Sequence, residues 1–276
     1  MVYILSPPDR YPHPEFTEFR GAYLNQSPPG TRAVPFARGF FGKNIYASVA
    51  FSNDGNEAFW SSNSQIYQSK RVGGIWTKPE PLTIDSRKGT CPSFSPDGQK
   101  LYFVTWDDRG ARICYAEKTA AGWAKTRELP EVINSTPKIH WDVSVDRKGD
   151  LYFASGSTNT DVKILYAEYQ NGEYAKPRLI ENIKNDATIC PYVAPDGSYL
   201  IYVKTIPAEH DKAFYMMFKN QAGQWGREIN ISDIIGGKGF SPRVSPDGRY
   251  FFFMDGGIMY WSDGKFIADL KTKEFK

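Results

Sequence analysis

Phe94-Ser-Pro-Asp-Gly98, followed by Leu101-Tyr-Phe-Val104, reads as a tight turn entering a buried strand. Pro96 presets φ, Asp97 can accept hydrogen bonds from the backbone two residues on, and Gly98 takes the left-handed conformation that closes the turn. The pattern recurs as Phe51-Ser-Asn-Asp-Gly55, Val145-Asp-Arg-Lys-Gly149, Val193-Ala-Pro-Asp-Gly197 and Val244-Ser-Pro-Asp-Gly248. The turn glycines stand 43, 51, 48 and 51 residues apart. Five carboxylates on equivalent turns serve no common reaction, so the turn aspartates are structural.

Each turn is followed by a strand-like run: Glu57-Ala-Phe-Trp60, Leu101-Tyr-Phe-Val104, Leu151-Tyr-Phe-Ala154, Leu200-Ile-Tyr-Val203 and Tyr250-Phe-Phe-Phe253. A third strand carries Tyr67, Tyr115, Tyr166, Tyr215 or Tyr260, expected as packing between repeats. A fourth opens on an aromatic at Trp76, Trp123, Tyr174 or Trp225. Four strands per repeat at this period predict an all-β fold, a single β-propeller of four-stranded blades. The fifth repeat has no fourth strand; Phe266 to Lys271 reads as a strand or a short helix. Thr31-Arg-Ala-Val-Pro-Phe-Ala37 reads as an orphan outer strand that would close the ring on the last blade and remove its exposed edge. The expectation is five blades, six if residues 1–30 add strands, with 1–30 an N-terminal arm and 31–276 the propeller.

Composition agrees. Hydrophobic residues are 41% and charged residues 24%, which excludes wholesale disorder. The 24 Gly and 19 Pro, beside 15% aromatics, favour short strands and turns. A net charge of +3, from 34 basic and 31 acidic residues, with no basic cluster, points away from nucleic acid. No apolar run is long enough for membrane insertion. The first nine residues lack the basic region of a signal peptide, so the chain as given reads as cytoplasmic, or as periplasmic or secreted if a leader was removed. Cys91, Cys114 and Cys190 show no paired spacing and read as reduced thiols.

The Ser-Pro-Asp-Gly turns, the Trp-opened outer strands, the lead-in Tyr23-Leu-Asn-Gln-Ser-Pro-Pro-Gly30 and the Tyr260-Trp261 ending resemble the TolB-like propellers built of WD-like repeats. The resemblance spans residues 22 to about 270. It implies the fold and leaves function open, since that family includes partner-binding modules and enzyme domains. The sequence departs from the family in Asp146-Arg-Lys-Gly149 and in the loops after each second strand: Trp106-Asp-Asp-Arg-Gly-Ala-Arg112, Gly156-Ser-Thr-Asn-Thr-Asp161 and Lys204-Thr-Ile-Pro-Ala-Glu-His-Asp-Lys212. Loops that diverge on a repeated frame are where function is expected.

Those loops and the crossings between blades emerge on one face around the channel mouth. The crossings carry Lys43, Lys88, Lys138, Lys184 and Lys238, one per blade. With Arg87, Arg109 and Arg112 they would form a basic ring that draws in a small anion, and Lys204 is a further candidate to bind it. Acidic residues in the same crossings oppose that field. His140 opens an innermost strand where the equivalent positions are read as Cys91, Cys190 and Phe240, and His210 lies between two carboxylates. The pair would supply an acid and a base at the mouth, or else one packed and one solvated histidine. Trp106 and Trp141 break the repeat and are the candidates for stacking a ligand, with Asp142 beside them.

No zinc spacing, serine elbow, phosphate loop or dinucleotide fingerprint occurs, so no metal or cofactor is expected. Two functions are compatible with this inventory. One is a module binding a small anionic ligand, carbohydrate, peptide or protein partner on the loop face. The other is a lyase or hydrolase acting on an anionic carbohydrate or small acid through His140 or His210.

Overall fold

A computed structural model describes residues 18–275, except 83, 86, 136–138, 159–160, 184–186 and 207–210. Five antiparallel sheets follow one another around a ring. Their innermost strands are Ile45–Phe51, Thr90–Phe94, Ile139–Val145, Ala187–Val193 and Phe240–Val244, in blades 1 to 5. The second strands are Glu57–Ser62, Lys100–Asp107, Leu151–Gly156, Tyr199–Ile206 and Tyr250–Asp255. The third are Gln65–Val72, Gly110–Thr119, Lys163–Ala167, Asp211–Phe218 and Ile258–Asp263.

The turn motif works as its residues require. In blade 2, Asp97 Oδ1 accepts from Gln99 N at 2.9 Å, and Ser95 Oγ accepts from Lys100 N at 2.9 Å. Blades 1 and 5 repeat this with Asp54 and Ser52, and with Asp247 and Ser245. Blade 3 departs from the motif in sequence but not in shape. Asp146 stands where the serine would, and its Oδ1 accepts from Lys148 N at 2.9 Å and Asp150 N at 3.1 Å.

The outer strands differ from the sequence expectation. The aromatic-opened segments are only the first part of each outer edge in blades 1 and 2, where Ile75–Trp76 and Gly122–Trp123 pair with the far end of the third strand. The edge then breaks and resumes at Glu80–Pro81 and Arg127–Glu128. In blade 1 Pro79 sits in the gap, where it can donate no ladder hydrogen bond. The recurring third-strand aromatics make pairs within blades as well. Each stands directly across from a second-strand aromatic of its own blade: Trp60 with Tyr67, Tyr102 with Tyr115, Tyr152 with Tyr166, Tyr202 with Tyr215, Phe253 with Tyr260. They are cross-strand pairs within blades, with ring centroids 5.1 to 6.2 Å apart. Each tyrosine also packs against an apolar cluster that joins its blade to a neighbour, as expected.

Val34–Pro35 pairs with Trp261 and Tyr260 as the outer strand of blade 5, so the ring closes as the sequence indicates, with five blades. Phe36, just after this strand, is buried among Phe41, Phe51, Phe252 and Trp261 and joins blade 5 to blade 1. Residues ahead of it are bonded to the propeller. Trp76 N donates to Phe19 O at 2.9 Å, Trp76 Nε1 to Gly21 O at 2.8 Å, and Leu24 is buried. The segment after blade 5 is a helix, Lys265–Glu274, whose Phe266 packs edge-on against Phe251. Among the described residues no helix is long and apolar enough to cross a membrane.

Candidate functional site on the loop face

Each innermost strand carries an irregularity near its start, and this decides what faces the axis. Counting seven residues back from each turn glycine gives Ser48, Cys91, Asp142, Cys190 and Ser241, all buried. Cys91, Cys190 and Ser241 adopt positive φ of 53 to 55° at this point, and the register of blade 3 shifts between His140 and Val143. The residue equivalent to Cys91 and Cys190 is therefore Asp142, not His140, and in blade 5 it is Ser241, not Phe240. A bulge inserts extra residues that strand alternation alone cannot count.

Asp142 lies on this axis between the two thiols and near Arg243. Burial pushes the Asp142 carboxyl up, and Arg243 and the thiols partly oppose this. Burial, with the Asp142 charge next, pushes Cys91 and Cys190 well above the usual thiol range. Asp142 Oδ1 and Arg243 Nε are buried without hydrogen-bond partners. Arg243 was not among the sequence candidates; its one signal is a charged residue on an innermost strand. Thiols held protonated and buried are poor nucleophiles. The expected result with a thiol reagent is that none of the three buried cysteines reacts in the native protein and all react in urea. One fast, stoichiometric thiol would contradict this placement.

Trp106 and Trp141, from neighbouring blades, meet at the rim with ring centroids 6.0 Å apart and planes at 66°. Trp106 is 51% exposed and Trp141 half-buried. Trp106 stands there because its strand runs on past Val104, the partner of Thr90, to Asp107. Trp141 is lifted by the irregularity that turns Asp142 inward.

Next to this pair the arginines are already engaged. Arg109 holds Asp107 at 2.5 Å and Glu128 at 2.7 Å. Arg112 bonds Glu131 and, at 2.7 Å, the carbonyl of Asn134; Arg87 reaches Glu128 at 3.3 Å. Hydrogen bonds from Arg109 hold Glu128 and Asp107 below the usual carboxylate range. Three guanidinium groups thus face three carboxylates, and the patch carries no net positive charge.

His140 lies beneath, fully buried, its ring 5.8 Å from Phe153, with neither nitrogen hydrogen-bonded. Burial, helped by the Arg112 charge, lowers its pKa to about 4. A sealed, neutral imidazole is poorly placed to exchange protons with a ligand on the face. Lys204 turns away from the face: its ammonium is buried, 2.7 Å from Glu228 and 4.8 Å above the Tyr215 ring. Lys43, Lys88 and Lys238 are exposed in their crossings. Lys138, Lys184 and His210 lie outside the described residues. Among the described residues no three His, Cys, Asp or Glu side chains converge on a metal position.

No protein-family model and no curated protein sequence matches the chain. Solved structures do. A putative TolB from Agrobacterium tumefaciens aligns with a TM-score of 0.55 at 14% identity, over 76% of this chain and 69% of that one. TolB from Acinetobacter baumannii aligns with a TM-score of 0.56 at 15% identity, over 88% of this chain and 62% of its own length. The fold is a TolB-like β-propeller. A gluconolactonase from Xanthomonas campestris aligns with a TM-score of 0.51 at 11% identity, over 77% of this chain and 70% of that one. At such identities the likeness reaches the blades and not the loops, so the chemistry of the site rests on its residues.

Proposed function

We propose that this propeller is a binding module holding a small saccharide on the Trp106–Trp141 rim. The observation that carries the reading is that pair: two aromatics that break the repeat, contributed by different blades, meeting at 6.0 Å with one of them half-exposed. Aromatic faces match the apolar faces of sugar rings, and the salt-bridged Arg109, Asp107 and Glu128 offer fixed donors and acceptors to hydroxyl groups. Charge balance at the rim favours an uncharged ligand over the small anion suggested by the lysines. Proton-transfer chemistry has less support, because His140 is sealed below the rim.

Tryptophan fluorescence titration with neutral and acidic saccharides, at low and high salt, tests this. Binding of a neutral saccharide should survive high salt, and Trp106→Ala should weaken it by about 2 kcal/mol, roughly 30-fold. Binding confined to acidic sugars and abolished by salt would defeat the proposal, as would a Trp106→Ala protein that binds unchanged.

A further inference from the structure

Across the ring from the tryptophans, at the seam of blades 4 and 5, a cavity of about 610 Å³ opens. That size suits a small molecule. Its walls come from Arg32 beside the closing strand, from Ser232 and Asp233, from the crossing Gly236–Lys238, and from Phe253, Asp255 and Tyr260 of blade 5. The glycines make the room. A Cβ on Gly236 would lie 2.6 Å from the Arg32 guanidinium carbon, and one on Gly237 would lie 2.6 Å from the Phe253 ring.

Three observations define what would fit. Arg32 is exposed and forms no ion pair among the described residues, in contrast to Arg87, Arg109 and Arg112. Asp255 is engaged by Lys212 at 2.8 Å, so its carboxylate is already met by a cation. Tyr260 stacks nearly parallel on Phe253, 5.4 Å apart with planes at 10°, and gives the cavity a flat aromatic wall. A guanidinium fork matches a planar carboxylate through two parallel hydrogen bonds, and one such fork suits one carboxylate.

The geometry points to a binding site for an aromatic monocarboxylate, its carboxylate on Arg32 and its ring along Tyr260. The site goes beyond the saccharide reading and shares no residue with it.

Calorimetric titration of the full chain with benzoate, benzamide and inorganic phosphate tests the assignment. Benzoate should bind saturably and benzamide should not. Arg32→Gln should weaken benzoate about tenfold or more. Gly236→Ala, whose methyl group displaces the guanidinium, should weaken it as well. Trp106→Ala should leave benzoate binding unchanged, which separates failure here from failure of the rim site. Absence of benzoate binding, equal binding of benzamide, competition by phosphate as strong as benzoate itself, or indifference to Arg32→Gln would each overturn the assignment.

Discussion

Phe36→Ala should lower the unfolding free energy by about 3–5 kcal/mol, the usual cost of emptying a fully buried aromatic site. Phe36 is enclosed by rings of both the first and the last blade, with centroids at 4.7 Å for Trp261, 5.1 Å for Phe252, 5.6 Å for Phe41 and 6.4 Å for Phe51. The cavity left by alanine would therefore sit at the ring's closure. The adjoining pairing covers Val34 and Pro35. Beside it Phe36 N donates to Met259 O at 2.8 Å, Ala33 N to Ile235 O at 2.7 Å and Asp263 N to Gly30 O at 2.9 Å, and Phe36 adds the apolar packing to this short run of backbone bonds. Phe36→Leu, which refills most of the space, should recover much of the loss. Urea unfolding of the three proteins measures this. An alanine variant within 1 kcal/mol of the parent, a limit set by ordinary surface substitutions, would mean that Phe36 does not hold the seam.

Acidification should destabilise the protein through His140. Its pKa falls from 6.5 to about 4 in the fold, so the native imidazole stays neutral where the unfolded one takes up a proton. The unfolded state then binds more protons between those values. Stability from this group is complete above pH 6.5, declines as the pH falls toward 4, and levels off below; the full loss is about 3 kcal/mol. Carboxylates with depressed pKa values, such as Asp97 and Glu128, add losses of their own as they protonate, so the comparison must be with a variant. His140→Leu should flatten the interval from pH 6.5 to 4.5. It should also raise stability at pH 7 by about 1–3 kcal/mol, since two buried nitrogens without partners disappear. Parallel pH profiles for parent and variant would show that the native imidazole takes up protons normally.

The fold was legible because its signals are local. A Ser-Pro-Asp-Gly turn satisfies itself within five residues, so Asp97 and Ser95 announce their roles without tertiary help. The closing strand was legible as well, because one repeat had a strand too few and the N-terminal region one too many. At the site, Trp106 and Trp141 were found as departures from the repeat. Other features depend on distances that sequence does not carry. The irregularity in each innermost strand moved the channel position from His140 to Asp142. Glu128 and Glu131, far along the chain from Arg87, neutralise cations that spacing alone left looking available. Arg32 reaches the blade 4–5 cavity only because the closing strand carries it there.

That closure also imposes an order on synthesis. Val34 and Pro35 are synthesised before any of the blades, yet their partners Tyr260 and Trp261 come more than 220 positions later. Until then Phe36 has no Phe252 or Trp261 to pack against, and a nascent chain with four finished blades has apolar surface open at both ends of the arc. The complete ring must then form in one late event, which joins a segment made before the first blade to one made with the last. Moving residues 18–42 behind the C-terminal helix through a flexible connector would let the sealing strand arrive last, beside a finished fifth blade. Such a rearranged chain should spend less of its folding time as an open arc and aggregate less on refolding, with the blades themselves unchanged.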